Sequence, residues 1–186
     1  AKEHKMGFRL SDTTEVVLEN VRVPRSAVIG EVGCGMSIAL NALNLSRAFI
    51  STLAVGIMQR ALDEAVAYAK QRKQFGRRLI DFEMVQAMLA DMAIKTEAAR
   101  VLVNNCMRQM DAGEMVRKDG AIVKTFVTDA MQEVVSNAVQ VLGGYGYSEE
   151  YPVEKLMRDA KIFQIFEGSN QIQRMTIAKE LDREYR

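Results

Sequence analysis

Histidine is almost absent. His4 is the only one in 186 residues, and it sits at the N-terminal end. That removes Ser-His-Asp, Cys-His and histidine-based zinc chemistry together. Acid–base work is left to carboxylates, tyrosines and lysines. Cysteine is scarce too. Cys34 and Cys106 are far apart and show no C-x-x-C spacing, so they read as reduced thiols in a cytosol-like compartment, not as a disulfide framework. No metal site is expected. An excess of one charge is missing as well: 25 Lys and Arg against 24 Asp and Glu leave +1. This offers no argument for nucleic acid or an anionic membrane. No signal peptide and no long uncharged apolar run is evident, so no membrane span is expected. Proline occurs only at Pro24 and Pro152, which leaves a long interval free of helix breakers.

What is present is an ordinary globular composition, 48% apolar and 26% charged. The length suits one domain with a real core, or one domain and a fragment of another. A first residue of Ala rather than Met suggests a processed product or a piece of something larger. The first thirty residues are rich in β-branched types. In "TTEVVLENVRVP", Val17, Val21 and Val23 suggest strand segments. Two short strands alone cannot bury their apolar faces, so this segment leans on the helices or belongs to a sheet that is absent.

From about Gly35 to Phe75 the pattern is helical, with a break expected near Asn44. Leu43, Ala54, Ile57, Ala61, Ala65 and Ala69 mark one face. Gly76 is expected to end this element as a C′ residue. A second helix is predicted from about Phe82 to Ala112, with Val85, Met88, Leu89, Met92 and Ile94 largely inward and Gly113 closing it. A third runs from about Met115 to Leu142, stopped by Gly143 and Gly144. A short helix follows Pro152, and a last one begins near Asn170. Long helices with short connections favour antiparallel neighbours. The expected fold is therefore mainly α: an up-and-down four-helix bundle over 31–186 with a short N-terminal β segment over 1–30.

Four features invite a chemical reading. In "FEGSNQIQR", Asn170 is a plausible N-cap with Gln173 three residues on, a capping-box pattern. Glu167 then precedes a helix N-terminus. It reads either as a carboxylate placed by the helix dipole or as a general base, walled by Ile165 and Phe166 and followed by Gly168, which lets a ligand approach the backbone. "AKQRKQFGRR" clusters cations near a helix end, either as dipole partners or as a phosphate site beside the Phe75 ring. "LGGYGY" has the wrong spacing and position for a dinucleotide fingerprint and reads as a helix stop. Arg47 lies within an apolar helical pattern. A buried arginine needs a partner, which points to an anionic ligand or another chain.

Together these stretches resemble the C-terminal part of the acyl-CoA dehydrogenase family, nearly end to end. "GFRLSDTTEVVLENVRVP" is similar to the end of the family's middle β-domain. "LNLSR", "LDEAVAYAKQRKQFGRRL", "QVLGGYGYSEEYPVEKLMRDAK" and "IFEGSNQIQR" follow in family order and spacing. The resemblance implies a remnant of the middle domain at 1–30, a C-terminal bundle at 31–186 and a missing helical domain. It implies FAD as cofactor and an acyl-CoA substrate with a short or branched chain. Glu167 matches the base that removes the α-proton. Arg72, Gln74 and Phe75 match residues at the FAD of a neighbouring subunit, and Gln140 to Gly144, with Gly143 and Gly144, match backbone along it. Ser169 and Gln171 match contacts to the subunit's own FAD. Asn44 and Arg47 match positions near CoA, while Phe166 and Gly168 belong to the substrate side. It further implies a homo-oligomer, a dimer of dimers, with electron-transfer flavoprotein as partner, in the cytoplasm or mitochondrial matrix. Three departures stand out: Ser169 for a commoner threonine, Asn44 for a usual aspartate, and Glu83 for a common glutamine. Ser46 before Arg47 argues against the branch whose base sits at that helix position. Two rival readings stay open, a non-catalytic assembly module and an oxidase-type relative.

Overall fold

The computed structural model describes residues 2–186; Ala1 lies outside the described residues. Helix α1 spans Gly35–Gln71 without the expected break at Asn44. Its alanines explain both its formation and its packing. Alanine has the highest helix propensity, and Ala48, Ala54, Ala61, Ala65 and Ala69 all lie fully buried on one face, with Met58 between them. Leu43 and Ile57 are only half-buried at the edges of that face.

The helix stops at Gln71, earlier than Gly76. Lys73–Gln74 (β1) then pairs antiparallel with Arg77–Arg78 (β2). Phe75 and Gly76 form the connecting turn with φ of 51° and 77°. Two consecutive positive φ values suit a two-residue hairpin. Gly76 therefore serves this turn and is not the helix C′ residue.

Helix α2, Glu83–Asp111, buries Leu89, Met92, Thr96, Ala99, Val103 and Cys106. Ile94, expected inward, is 64% exposed. It lies two residues beyond Met92, and residues two apart on a helix do not share a face. Gly113 follows with φ 78° and closes the helix as expected. Helix α3, Arg117–Leu142, is the central element. It packs against α1, α2 and the two helices that follow, α4 at Val153–Ala160 and α5 at Asn170–Glu184. Gly120 lets α3 approach α1 closely, since a Cβ there would lie 3.3 Å from the Asn44 carbonyl oxygen.

The mainly helical bundle with a small two-stranded piece is thus observed, but the strands lie at 73–78. Among the described residues of the first thirty no ladder forms, and Val17, Val21 and Val23 are exposed. The β-type sequence there has no neighbouring strand to pair with. The same segment does touch the bundle around residues 6–8, where Arg158 Nη1 donates to the Met6 carbonyl at 3.0 Å. The Phe8 N–H donates to Asp159 Oδ1 at 2.6 Å. The Phe8 ring packs edge-on against Phe163, with centroids 5.6 Å apart.

By length and composition α1 is long and apolar enough to cross a membrane, a test that a bundle's core helix passes as well. A search for uncharged runs misses it because Arg47 interrupts the apolar stretch. Arg47 and the alanine face are folded against the bundle, while Met36, Leu40, Leu45, Phe49 and Leu53 of the first half are exposed.

Candidate functional site

Glu167 lies in the connection between α4 and α5, after a 3-10 turn at Lys161–Gln164. Its φ is +55° and that of Gly168 is +87°. Left-handed backbone costs a non-glycine residue about 1–2 kcal/mol. Such a conformation persists only where its surroundings over-determine it, and the surroundings here are specific. Gln173 Nε2 donates to both the Glu167 and Gly168 carbonyl oxygens, at 3.0 and 2.9 Å. Lys124 Nζ, from the middle of α3, donates to the Gly168 carbonyl at 2.9 Å and to Asn170 Oδ1 at 2.7 Å. Lys124 and Gln173 are fully buried. Upstream, the Phe166 N–H donates to the Ile162 carbonyl at 2.9 Å. Phe166 itself rests on the buried Phe163, with centroids 4.9 Å apart.

These contacts correct the capping assignment. Ser169 is the N-cap of α5, its Oγ accepting from the Ile172 N–H at 3.4 Å. Asn170 is already inside the helix. Its amide donates to Thr128 Oγ1 at 2.9 Å and to Asp129 Oδ1 at 2.7 Å. Gln173 does not return to the cap; its side chain turns to the Glu167–Gly168 carbonyls.

The Glu167 carboxylate meets α1. Ser46 Oγ donates to its Oε2. The next residue, Arg47, is buried, with Nη1 donating to Asn44 Oδ1 one turn earlier at 3.0 Å and with Nε left without a partner. Burial and the neighbouring Arg117 hold the Arg47 guanidinium below its ordinary pKa, against the opposing pull of Glu167. Burial lowers Lys124 to about 8, and Arg47 adds to this, while Asp129 and Glu167 act the other way. Asp129 ends below the usual carboxylate range: burial raises it, but hydrogen bonds from Arg174, Gln164 and Asn170 outweigh that. The site is thus a half-buried carboxylate ringed by buried cationic and amide groups.

A second feature lies at the far ends of α1 and α3. A groove of about 590 Å³ is lined by Tyr68, Arg72, Gln74, Gly143, Gly144 and Tyr145, among others. The Arg72 guanidinium lies 5.7 Å from the Tyr145 ring centroid. Cβ atoms at Gly143 and Gly144 would meet nothing within 4 Å, so that backbone is open to an incoming group. A guanidinium, accessible backbone and aromatic rings make a donor set that fits a dinucleotide. Phe75 is 92% exposed at the hairpin tip, and Gln140 is exposed outside the groove lining. Ser169 and Gln171 stand at the start of α5, at the carboxylate. The Ser169 hydroxyl still has its hydrogen to donate.

The structure therefore gathers Asn44, Arg47, Phe166, Glu167, Gly168 and Ser169 in one region, and Arg72, Gln74, Gly143 and Gly144 in another. Sequence reasoning missed Ser46, Lys124 and Gln173 as partners of the Glu167 segment. Lys124 was findable, since in "AIVKTFVTDAM" it interrupts an apolar helical pattern as Arg47 does. The charge of Glu83 gains a local reason: it occupies the first turn of α2, where the helix dipole favours an anion.

Comparison with known proteins gives the same region a context. Residues 33–181 match the family described as acyl-CoA dehydrogenase, C-terminal domain. The chain is 49% identical over 181 residues to the probable acyl-CoA dehydrogenase FadE25 of Mycobacterium tuberculosis, covering 97% of this chain and 46% of that protein. It is 43% identical over 176 residues to the caffeyl-CoA reductase–Etf complex subunit CarC of Acetobacterium woodii, covering 95% and 46%. Its fold is similar to that of butyryl-CoA dehydrogenase from Megasphaera elsdenii, with a TM-score of 0.95, 45% identity, and 97% and 47% of the two chains covered. The chain spans about half the length of these relatives.

Proposed function

Because the chain belongs to the acyl-CoA dehydrogenase family, as its C-terminal domain, we propose that it supplies the base and part of the cofactor cradle of an FAD-dependent acyl-CoA dehydrogenase. The observation that carries this reading is the Glu167 carboxylate, held at left-handed backbone between α4 and α5 and contacted by Ser46. Structural constraint of that kind suits a base that must meet one proton in one direction.

The chemistry follows from what a thioester needs. Its α-proton is weakly acidic, so removal requires a positioned base and a stabilised enolate oxygen. Glu167 takes the α-proton and becomes a neutral acid. FAD, held by Ser169 and Gln171, would supply the acceptor for the β-hydrogen and its electron pair, so that loss of both hydrogens leaves the α,β double bond. Phe166, resting on Phe163, lines the acyl side and excludes water. Asn44 and Arg47 lie toward the CoA end. Arg47 Nε is buried without a partner, a donor that an anionic group seated against it would satisfy. Ser169 and Gln171 would hold this subunit's FAD near the base. Arg72, Gln74, Gly143 and Gly144 would hold the FAD of a second subunit. A homo-oligomer, a dimer of dimers, is part of the same reading, as is electron-transfer flavoprotein as the onward acceptor. The free thiols Cys34 and Cys106 fit a reducing compartment such as cytoplasm or mitochondrial matrix.

The test is anaerobic addition of saturated acyl-CoA thioesters to the FAD-loaded full-length protein. Loss of visible flavin absorbance with formation of the α,β-unsaturated thioester is expected. An unchanged spectrum across chain lengths would exclude the reading. For the groove, Arg72→Ala is expected to lower the flavin-to-protein ratio after gel filtration while the thermal midpoint moves little. A charge-assisted bond to a phosphate is strong, whereas an exposed helix-end cation adds little stability. Full flavin retention with a large fall in the midpoint would refute the phosphate role.

A further inference from the structure

We propose that Lys124 and Gln173 are positioning residues for Glu167, forming a buried clamp that holds the base segment in its left-handed conformation and aims the carboxylate. The inference rests on the proposed role of Glu167 as the base. Two fully buried side chains from different helices converge on the same two carbonyl oxygens: Gln173 on Glu167 and Gly168, Lys124 on Gly168. A peptide is planar and trans, so bonding the Glu167 carbonyl fixes the plane that follows its Cα. The Phe166 N–H bonded to Ile162 anchors the chain one residue upstream. Held from both sides, the Glu167 backbone keeps its left-handed φ of 55°.

The clamp has its own support. Asn170 presents Oδ1 to Lys124 because its amide nitrogen is engaged by Thr128 and Asp129. Gly168 is fitted to it: a Cβ there would stand 2.6 Å from Gln173 Nε2. Nothing in this arrangement is needed to begin α5, whose cap is the Ser169 hydroxyl. A buried lysine held away from any direct carboxylate bond is costly as a structural device alone. Its two hydrogen bonds both end on the segment from Gly168 to Asn170, which adjoins the base. Without the clamp, Glu167 is free to relax to negative φ, which swings its carboxylate away from Ser46.

The test uses the FAD-loaded full-length enzyme. Lys124→Met keeps the length of the side chain and removes the donor and charge. It is expected to lower kcat and kcat/KM together, roughly 100-fold, as a displaced catalytic group does. A second readout avoids dehydrogenation. A 3-thiaacyl-CoA has α-protons but no β-hydrogen, so its exchange of α-deuterium with solvent reports proton removal alone. That exchange is expected to slow by a similar factor. Gln173→Met removes the other donor and is expected to act in the same direction, which serves if the lysine variant fails to fold. Thr96→Val deletes an equally buried hydroxyl that bonds only the Met92 carbonyl, and both rates are expected to stay at wild-type level. Wild-type turnover and exchange in folded, FAD-loaded K124M or Q173M would overturn the clamp. Glu167→Gln in the same exchange assay keeps the two ideas apart. Exchange persisting there defeats the base assignment itself; exchange lost there but intact in both clamp variants defeats only the clamp.

Discussion

Glu167→Gln is expected to reduce dehydrogenation by a factor of about 10²–10⁴ or more while leaving FAD content and acyl-CoA binding close to wild type. A positioned general base contributes on that order. The amide keeps the size and hydrogen-bonding shape of the carboxylate. It still faces Ser46 Oγ, yet it cannot accept the α-proton. Its backbone is unchanged, so the Gln173 and Lys124 bonds to the following carbonyls should survive. The loss should therefore appear in kcat and not in KM. Steady-state turnover and the rate of flavin bleaching in a stopped-flow mixer measure it. Near-normal bleaching of the variant would remove Glu167 from the role of base.

Phe163→Ala is expected to cause the largest loss of stability, about 3–5 kcal/mol, the usual range for deleting a buried aromatic ring. Phe163 is completely buried beneath the base segment. Its ring contacts Phe8 from the N-terminal segment and Phe166 beside Glu167, at centroid separations of 5.6 and 4.9 Å. Removing it leaves a cavity between three chain segments and frees Phe166. A denaturant midpoint well below wild type is therefore expected, together with a raised KM for acyl-CoA if Phe166 lines the acyl side as proposed. Phe163→Leu, which fills much of the volume, should recover most of the midpoint. A midpoint unchanged in the alanine variant would mean that the aromatic cluster does not support the site.

Much of the helical framework was legible in the sequence because it depends on local spacing. Alanines at helical spacing mark the buried face of α1, and Gly113 ends α2 where its pattern stops. The errors share a different origin. Gly76 looks like a helix stop because a positive-φ glycine serves helix ends and hairpin turns alike. Only the pairing of Lys73–Gln74 with Arg77–Arg78 decides between them. Asn170 looks like a cap because Asn, Ser and Asp are interchangeable there by propensity. Its partners Lys124, Thr128 and Asp129 lie more than forty residues earlier, and they draw its side chain away from the cap. The β-branched stretch at Val17–Val23 carries strand propensity without a partner strand, and propensity alone does not make a ladder.

The site divides in the same way. Glu167, Phe166 and Gly168 were visible as a contiguous segment, and Arg72 with Gln74 as another. That Gly143 and Gly144 share a groove with Arg72 was implied by the family resemblance but by no local pattern; the packing of α1 on α3 brings them together. Ser46 stood in the sequence as an exclusion, a residue that is not a base. Its hydroxyl turns out to be the group that meets the Glu167 carboxylate. No local pattern links positions 46, 124, 167 and 173. Three helices bring them together, which is why the clamp was hidden while the base was not.

The most direct test of the central claim is a crystal structure of the FAD-loaded full-length E167Q protein with an intact saturated acyl-CoA bound. The side chain at position 167 is expected within roughly 3–3.5 Å of the thioester α-carbon, the separation of a near-attack geometry, with its backbone still left-handed and its carbonyl still bonded by Gln173. An α-carbon lying well beyond that reach, or facing another carboxylate, would contradict it.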